Sequence, residues 1–499
     1  MAKPKSLTKQ PKAKPKKEQK LESVDDFQAA GVEFEEAAGK WRAGDAAKSM
    51  RFFRRAIDMY DQGLRMFPRS IDLAYNKARV QLEIATHPIL VDQLEQPLRA
   101  VLEEALASHR YTLELDPENT DALFNQAQVL TAIAELIASD EDGEGGGNEA
   151  EALKALREAL DLQTICLTRQ ERKYQEFLEL EHFADEQNAS EKPPPASGSK
   201  EASEPSGAEE DDEWFNVVEP VTIDTLIDTL LAQMGTLTTF CSILSGSPEQ
   251  AQPGTLVWAE EVATELVEKI QAISGEKQDR LQEIALARAN LVSAMLEAAY
   301  RTGQTNAEAY GRELNLAFSN PNLQIDSFVD GLMAKARSFL ALSSAMADAD
   351  NEDARSQSTM RWNVLTASIA SLKSASAARG ISQEDLVSTH LLRGDASLHL
   401  YSMAFPPLSH QTAVNTASQN AKNAEVYYRN ASRLTSDGEE RDVASLKSMV
   451  AQYLQAYSQG NAQGDISGLL GASPRGQGWV IQQLEDMMAE NLVPQALLS

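Results

Sequence analysis

From Val24 onward, apolar residues recur at three- and four-residue intervals, the spacing that puts them on one face of an α-helix. Stripes of this kind run through Thr222–Leu244, Leu256–Ile273, Lys277–Tyr300, Ala307–Ala317, Ile325–Ala347 and Met360–Ala378. They continue in Leu386–Met403, Ala413–Leu434 and Val443–Tyr457, and the last, Trp479–Met488, is amphipathic. No stretch alternates strands with helices. Many short stripes, each too narrow to close a core alone, are best buried by stacking antiparallel helix pairs side by side. The expected fold is all-α, a superhelical array of helix pairs with long helices.

Breaks in the pattern divide the chain. Residues 1–22 are lysine-rich, dotted with proline and nearly free of large apolar groups, so they read as a disordered basic tail. Within it Lys12, Lys14, Lys16 and Lys17 form a candidate nuclear import signal, with a solubilising tail as the alternative. Helical repeats are expected over 23–183, interrupted by an acidic, glycine-rich loop near 139–149. Residues 184–213 hold Pro193-Pro194-Pro195 and the run Glu209–Glu213, and read as an acidic disordered linker. Ser206 stands three residues before Glu209, a spacing suited to an acid-directed kinase. A second helical region follows over 214–458, then a Gly/Ser-rich spacer and terminal helix over 459–499.

One local pattern recurs. Ile71-Asp72-Leu73-Ala74-Tyr75-Asn76-Lys77-Ala78 follows Phe67-Pro68, and 49 residues later Asp121-Ala122-Leu123-Phe124-Asn125-Gln126-Ala127 follows Asp116-Pro117. Proline ends one helix there and tolerates the first turn of the next, while Ala78 and Ala127 allow close helix approach. This resembles the tetratricopeptide repeat, as do Ala56, Tyr60, Gly63-Leu64 and Pro68 at second-helix spacing. The departure is the period, 49 in place of 34, which implies longer helices. Ala424, Tyr428 and Ala431 read as a degenerate copy of the same second helix.

Charge sharpens the functional classes. The 499 residues carry a formal net charge of −29, yet the first twenty hold eight lysines and one glutamate, leaving −36 on the rest. An acidic body disfavours direct nucleic-acid binding, which needs a positive surface. No apolar run of eighteen occurs and the first residues hold no export-type stretch, so neither membrane nor secretion is expected. Two cysteines, Cys166 and Cys241, cannot make a disulfide framework or a cysteine zinc module, and both lie on apolar helical faces as structural thiols do.

The six histidines are scattered without metal-ligand spacing, and neither a P-loop nor a nucleotide-type glycine fingerprint occurs, so no enzyme and no cofactor is expected. The Arg393-Gly394-Asp395 tripeptide reads as ordinary helix. The carboxylate clamp that some tetratricopeptide proteins use to hold acidic chaperone tails aligns here with Gln28, Val32, Asn76, Asp121 and Asn125, keeping one position of five and reversing the charge of another. Such a surface suits a basic partner instead. The first-helix residues Asp72, Asn76, Asp121 and Asn125 are the candidate contact surface, with helix capping as the alternative role of the aspartates. Trp214 and Phe215, after the acidic run, form a candidate aromatic anchor, either for the linker itself or in a partner's pocket.

Phe52-Phe53-Arg54-Arg55-Ala56-Ile57, then Gly63-Leu64, Phe67-Pro68 and Ser70, with Met1-Ala2-Lys3 and Glu22-Ser23-Val24, resemble the fungal enhancer-of-translation-termination and negative-regulator-of-oxygenase family. The family's Pro-Leu-Gly-Leu start is broken here by Lys5 and Ser6. The resemblance implies a non-enzymatic adaptor acting in translation termination and oxygen-linked gene regulation. Its partners would be a 2-oxoglutarate-dependent oxygenase, its ribosomal-protein substrate or an import receptor, in nucleus and cytoplasm. The overall expectation is therefore an escort for a basic client such as a ribosomal protein. The alternatives are a chaperone of a histone and a structural subunit held in a complex through apolar faces such as Trp479–Met488.

Overall fold

In the computed structural model, residues 21–139, 148–190, 220–275, 277–460, 469, 473 and 475–493 are described. Residues 1–20 of the basic tail with the import-signal lysines, residues 140–147 of the acidic loop, and residues 191–219 with Ser206, Trp214 and Phe215 lie outside them. Every extended element among the described residues is a helix and none is a strand, an all-α repeat architecture of long helices packed as consecutive pairs. Two compact units divide at Leu136 and Ile137.

The first unit contains α1 (Val24–Arg42), α2 (Ala46–Met66), α3 (Ile71–Thr86), the short α4 (Pro88–Val91) and α5 (Leu98–Leu115). It also holds most of α6 (Thr120–Ser139). The turn chemistry is local. Ser23 and Asp26 close a reciprocal capping box, each side chain accepting from the other's backbone N–H. Asp45 and Ser70 cap α2 and α3, and Asn119 Oδ1 accepts from Ala122 N at 2.9 Å to open α6. Phe27, Phe53, Ala56, Tyr60, Leu73 and Val80 interlock in the core, with Ala78 and Ala127 fully buried as the repeat pattern requires. The 49-residue spacing also has a source besides helix length: residues 87–97, α4 and its connection, are inserted between α3 and α5.

The second unit runs through α7 (Asn148–Ser190), α8 (Ile223–Gly246), α9 (Thr255–Ser274), α10 (Leu281–Arg301), α11 (Ala307–Ala317) and α12 (Val329–Ala349). It continues with α13 (Glu352–Ser356), α14 (Ser358–Ser376), α15 (Gln383–Ser402), α16 (Gln411–Leu434), α17 (Gly438–Ser458) and α18 (Gln477–Ala489). Helix α7 crosses position 184, where the linker was expected to start. The sequence α8 is long and apolar enough to cross a membrane, yet most of it is buried within the unit against α7 and α10. Between α7 and α8 a polar ladder sets the register: Gln163 donates to Thr236 (3.1 Å), Thr229 to Gln170 (2.8 Å) and Gln233 to Thr164 (3.1 Å). These bonds satisfy the Gln163 and Gln233 amide donors, the Gln170 carbonyl and the threonine hydroxyls inside the contact.

Helix α18 differs from the expectation of a free apolar face. Val480, Leu484 and Met487 are buried in one cluster with Leu446, Val450 and Leu454 of α17. Covering α17 and α16 removes that apolar area from water, so the face expected to hold a larger complex is spent inside the unit.

Candidate partner-binding face

Helix α3 lies deep in the first unit and leaves only a narrow strip open. Leu73, Ala74, Ala78, Val80, Leu82 and Ile84 are buried, while Asp72 is exposed and Tyr75, Asn76, Arg79 and Glu83 are half-buried. Helix α6 repeats this: Asp121 is exposed, Asn125 half-buried and Gln128 exposed between buried Ala122, Leu123, Gln126, Ala127 and Val129. The spacings of four and three residues follow the helical period, so each strip is one continuous line of side chains.

The structure joins the α3 and α6 strips through a residue that the site expectation did not include. Tyr75 of α3 sits against Asp121 and Asn125 of α6. Burial and the Asp121 carboxylate raise its phenol above the ordinary value, while Arg79 and the Asn125 amide pull it down. Asp121 and Asn125 therefore share a site. Among the described residues, no hydrogen bond or ion pair ties Asp72 or Asn76 to that pair; they belong to the strip that carries Tyr75.

Charge along these strips is divided unevenly. Glu35 of α1 accepts from both the Tyr60 hydroxyl and Arg79, and Glu83 pairs with Arg42 at 2.6 Å. Burial and the Glu35 carboxylate act oppositely on Arg79, and its guanidinium is held above the ordinary value. These acids are internally neutralised. Asp72 and Asp121 have no basic partner within ion-pairing distance among the described residues and stand in solvent. Of the sequence candidates, Asp72, Asn76, Asp121 and Asn125 thus all lie on the open strips. Tyr75, Arg79 and Glu35 were not singled out as site residues; the aromatic just before each asparagine was the available signal for Tyr75.

Elsewhere the structure places candidate residues out of reach of chemistry. Cys166 and Cys241 are buried thiols that form no disulfide, and burial pushes Cys241 up to about 12. In Arg393-Gly394-Asp395, Arg393 stacks on Tyr427 and donates to its hydroxyl (2.8 Å). Gly394 lies under Tyr428, and Asp395 accepts from Tyr428 (2.7 Å) and Lys447 (3.1 Å). All three are used in packing between α15 and its neighbours. Among the described residues, no group of three or more His, Cys, Asp or Glu could hold a metal ion.

Comparison with known proteins finds two curated relatives of fungal origin. The chain is 32% identical over 153 residues to UPF0656 protein C926.02 of Schizosaccharomyces pombe, covering 30% of this chain and 33% of that protein. It is 36% identical over 78 residues to the uncharacterized protein YNL193W of Saccharomyces cerevisiae, covering 15% of this chain and 14% of that one. The matches thus span a third or less of either relative. No family model matches. Among solved structures, the S. pombe nuclear import adaptor Nro1 aligns over 84% of this chain and 98% of its own, with 11% identity and a TM-score of 0.35. A circular tandem repeat protein aligns over 94% and 97%, with 13% identity and a TM-score of 0.32.

Proposed function

We propose that the chain is a non-enzymatic adaptor or escort that receives a basic segment of a client protein on the α3 and α6 strips. The observation that carries this reading is the uneven neutralisation of the acids. Glu35 and Glu83 are taken up by Arg79 and Arg42, whereas Asp72 and Asp121 stay open beside Asn76, Tyr75 and Asn125. Two carboxylates flanked by amides and a phenol suit lysine or arginine side chains, with the aromatic ring offering a cation–π surface. The body's negative charge would speed encounter with such a client. The resemblance read from residues 52–70 supports an adaptor of the nucleus and cytoplasm, with a ribosomal protein as client and an oxygenase or import receptor as further partner. The lysines of the tail support import.

Fluorescence anisotropy with a labelled lysine/arginine-rich peptide tests this on the full chain. Asp72→Asn and Asp121→Asn should each weaken binding about three- to tenfold, and salt should weaken the parent protein more than the double variant. Unchanged affinity in the double variant would remove the proposal.

A further inference from the structure

Within the second unit, a cavity of about 540 Å³ lies among the ends of α12, α14, α15 and α18. Its walls carry two acids, two arginines and an apolar surface that includes Phe405 and Met488. The charges are not evenly matched. Asp348 pairs with Arg301 (2.7 Å) and accepts from the Asn491 amide (2.6 Å). Asp350 is held by Arg355 through two bonds of 3.0 and 2.8 Å. Arg361 remains. Its side chain is only 5% exposed, its Nε donates to Ser343 Oγ at 2.9 Å, and no carboxylate stands within ion-pairing distance among the described residues. Burial lowers its guanidinium to about 10, with the carboxylates of Asp348 and Asp350 opposing, so it is charged at neutral pH. A buried cation whose terminal donors are unused is unfavourable, and an anion that accepts from them offsets that cost.

We propose that this cavity binds a carboxylate borne on an apolar carrier, with the acid on Arg361 and the carrier against Phe405 and Met488. A carboxylate fits the planar guanidinium fork in two bonds. A phosphate fits less well, because its second charge would face Asp348 and Asp350 across the same cavity. The volume suits a ligand of a few hundred daltons or two to three residues of peptide. The carboxylate could come from a small organic acid or from a glutamate or aspartate of a peptide. This site is independent of the basic-client reading, since it lies in the other unit and selects the opposite charge.

Calorimetric titration of the full chain decides the matter with four probes: 3-phenylpropionate, its uncharged amide, inorganic phosphate, and the blocked tripeptide acetyl-Leu-Glu-Phe-amide. At least one carboxylate probe should bind tenfold or more tighter than the amide and tighter than phosphate. The free acid binding better points to a small molecule, and the tripeptide binding better points to a protein segment. Arg361→Met, which keeps volume and removes charge, should abolish that preference while leaving the melting temperature unlowered. Equal binding of acid and amide, a preference for phosphate, no binding of either carboxylate, or unchanged binding by a folded Arg361→Met protein would overturn the proposal. Should that variant fail to fold, the acid–amide comparison on the parent protein is decisive by itself.

Discussion

Gly394 of α15 lies directly beneath the ring of Tyr428 of α16, so close that a Cβ at position 394 would overlap the ring. The Tyr428 hydroxyl donates to Asp395, which also accepts from Lys447 of α17. The first unit builds the same device. Gly31 of α1 lies beneath Tyr60 of α2, the Tyr60 hydroxyl donates to Glu35, and Glu35 accepts from Arg79 of α3. In both cases the cation follows the tyrosine by 19 residues and sits on the next helix in the array. A glycine lets two helices close, a tyrosine fills the gap, and an acid–base pair ties on the third helix.

Gly394→Ala and Gly31→Ala should each destabilise the protein by about 1–3 kcal/mol, because a methyl forces the buried ring off its position. Gly39→Ala, in open space on α1, should be neutral or slightly stabilising, since it removes only glycine's helix penalty. Urea unfolding of the three variants separates packing from propensity.

Leu484→Ala should cost about 2–4 kcal/mol, since the side chain is 6% exposed within the α17–α18 cluster. Removing residues 475–499 should expose the α17 face and raise binding of a hydrophobic dye. Salt-dependent binding of a basic peptide should survive both changes. That separation distinguishes an adaptor from a subunit held by its last helix.

Acid should weaken the fold through two histidines. His109 is fully buried, and burial holds it down to about 4; His399 is held down to about 3 by burial, then by Arg361 and Lys447. Both values lie below 6.5, so under that pH the unfolded chain takes up protons that the folded chain refuses. The stability is intact above pH 6.5 and is lost as pH falls toward 4, by on the order of 1 kcal/mol per histidine for each pH unit. Urea midpoints at pH 7.5 and 5.0 should differ, and His109→Leu should reduce the difference.

Neither cysteine should react in the folded protein. An aromatic disulfide reagent should release no chromophore under native conditions and label two thiols in denaturant, because Cys166 and Cys241 are both fully buried. Rapid native labelling of either would show that its helix opens far more readily than its packing allows.

The helices themselves were legible in the chain because their signals are local. Apolar spacing, Pro68 and Pro117 as breaks, and the matched Ala78 and Ala127 all act within one or two turns, and each ended where it was expected to act. The open positions of Asp72 and Asp121 follow from the same periodicity. Other features depend on residues distant in the chain. Tyr428 meets Asp395 across 33 positions, Asp348 meets Asn491 across 143, and α18 spends its apolar face on α17. No spacing rule encodes such pairings, because stacking decides which charged group finds a partner and which, like Arg361, is left facing a cavity. The sequence by itself determined an all-helical repeat chain and the open lines of its first helices. Only the tertiary structure decided which acids are neutralised, which glycines must stay glycine, and which buried cation lines a cavity, since each depends on side chains brought together by packing across helices.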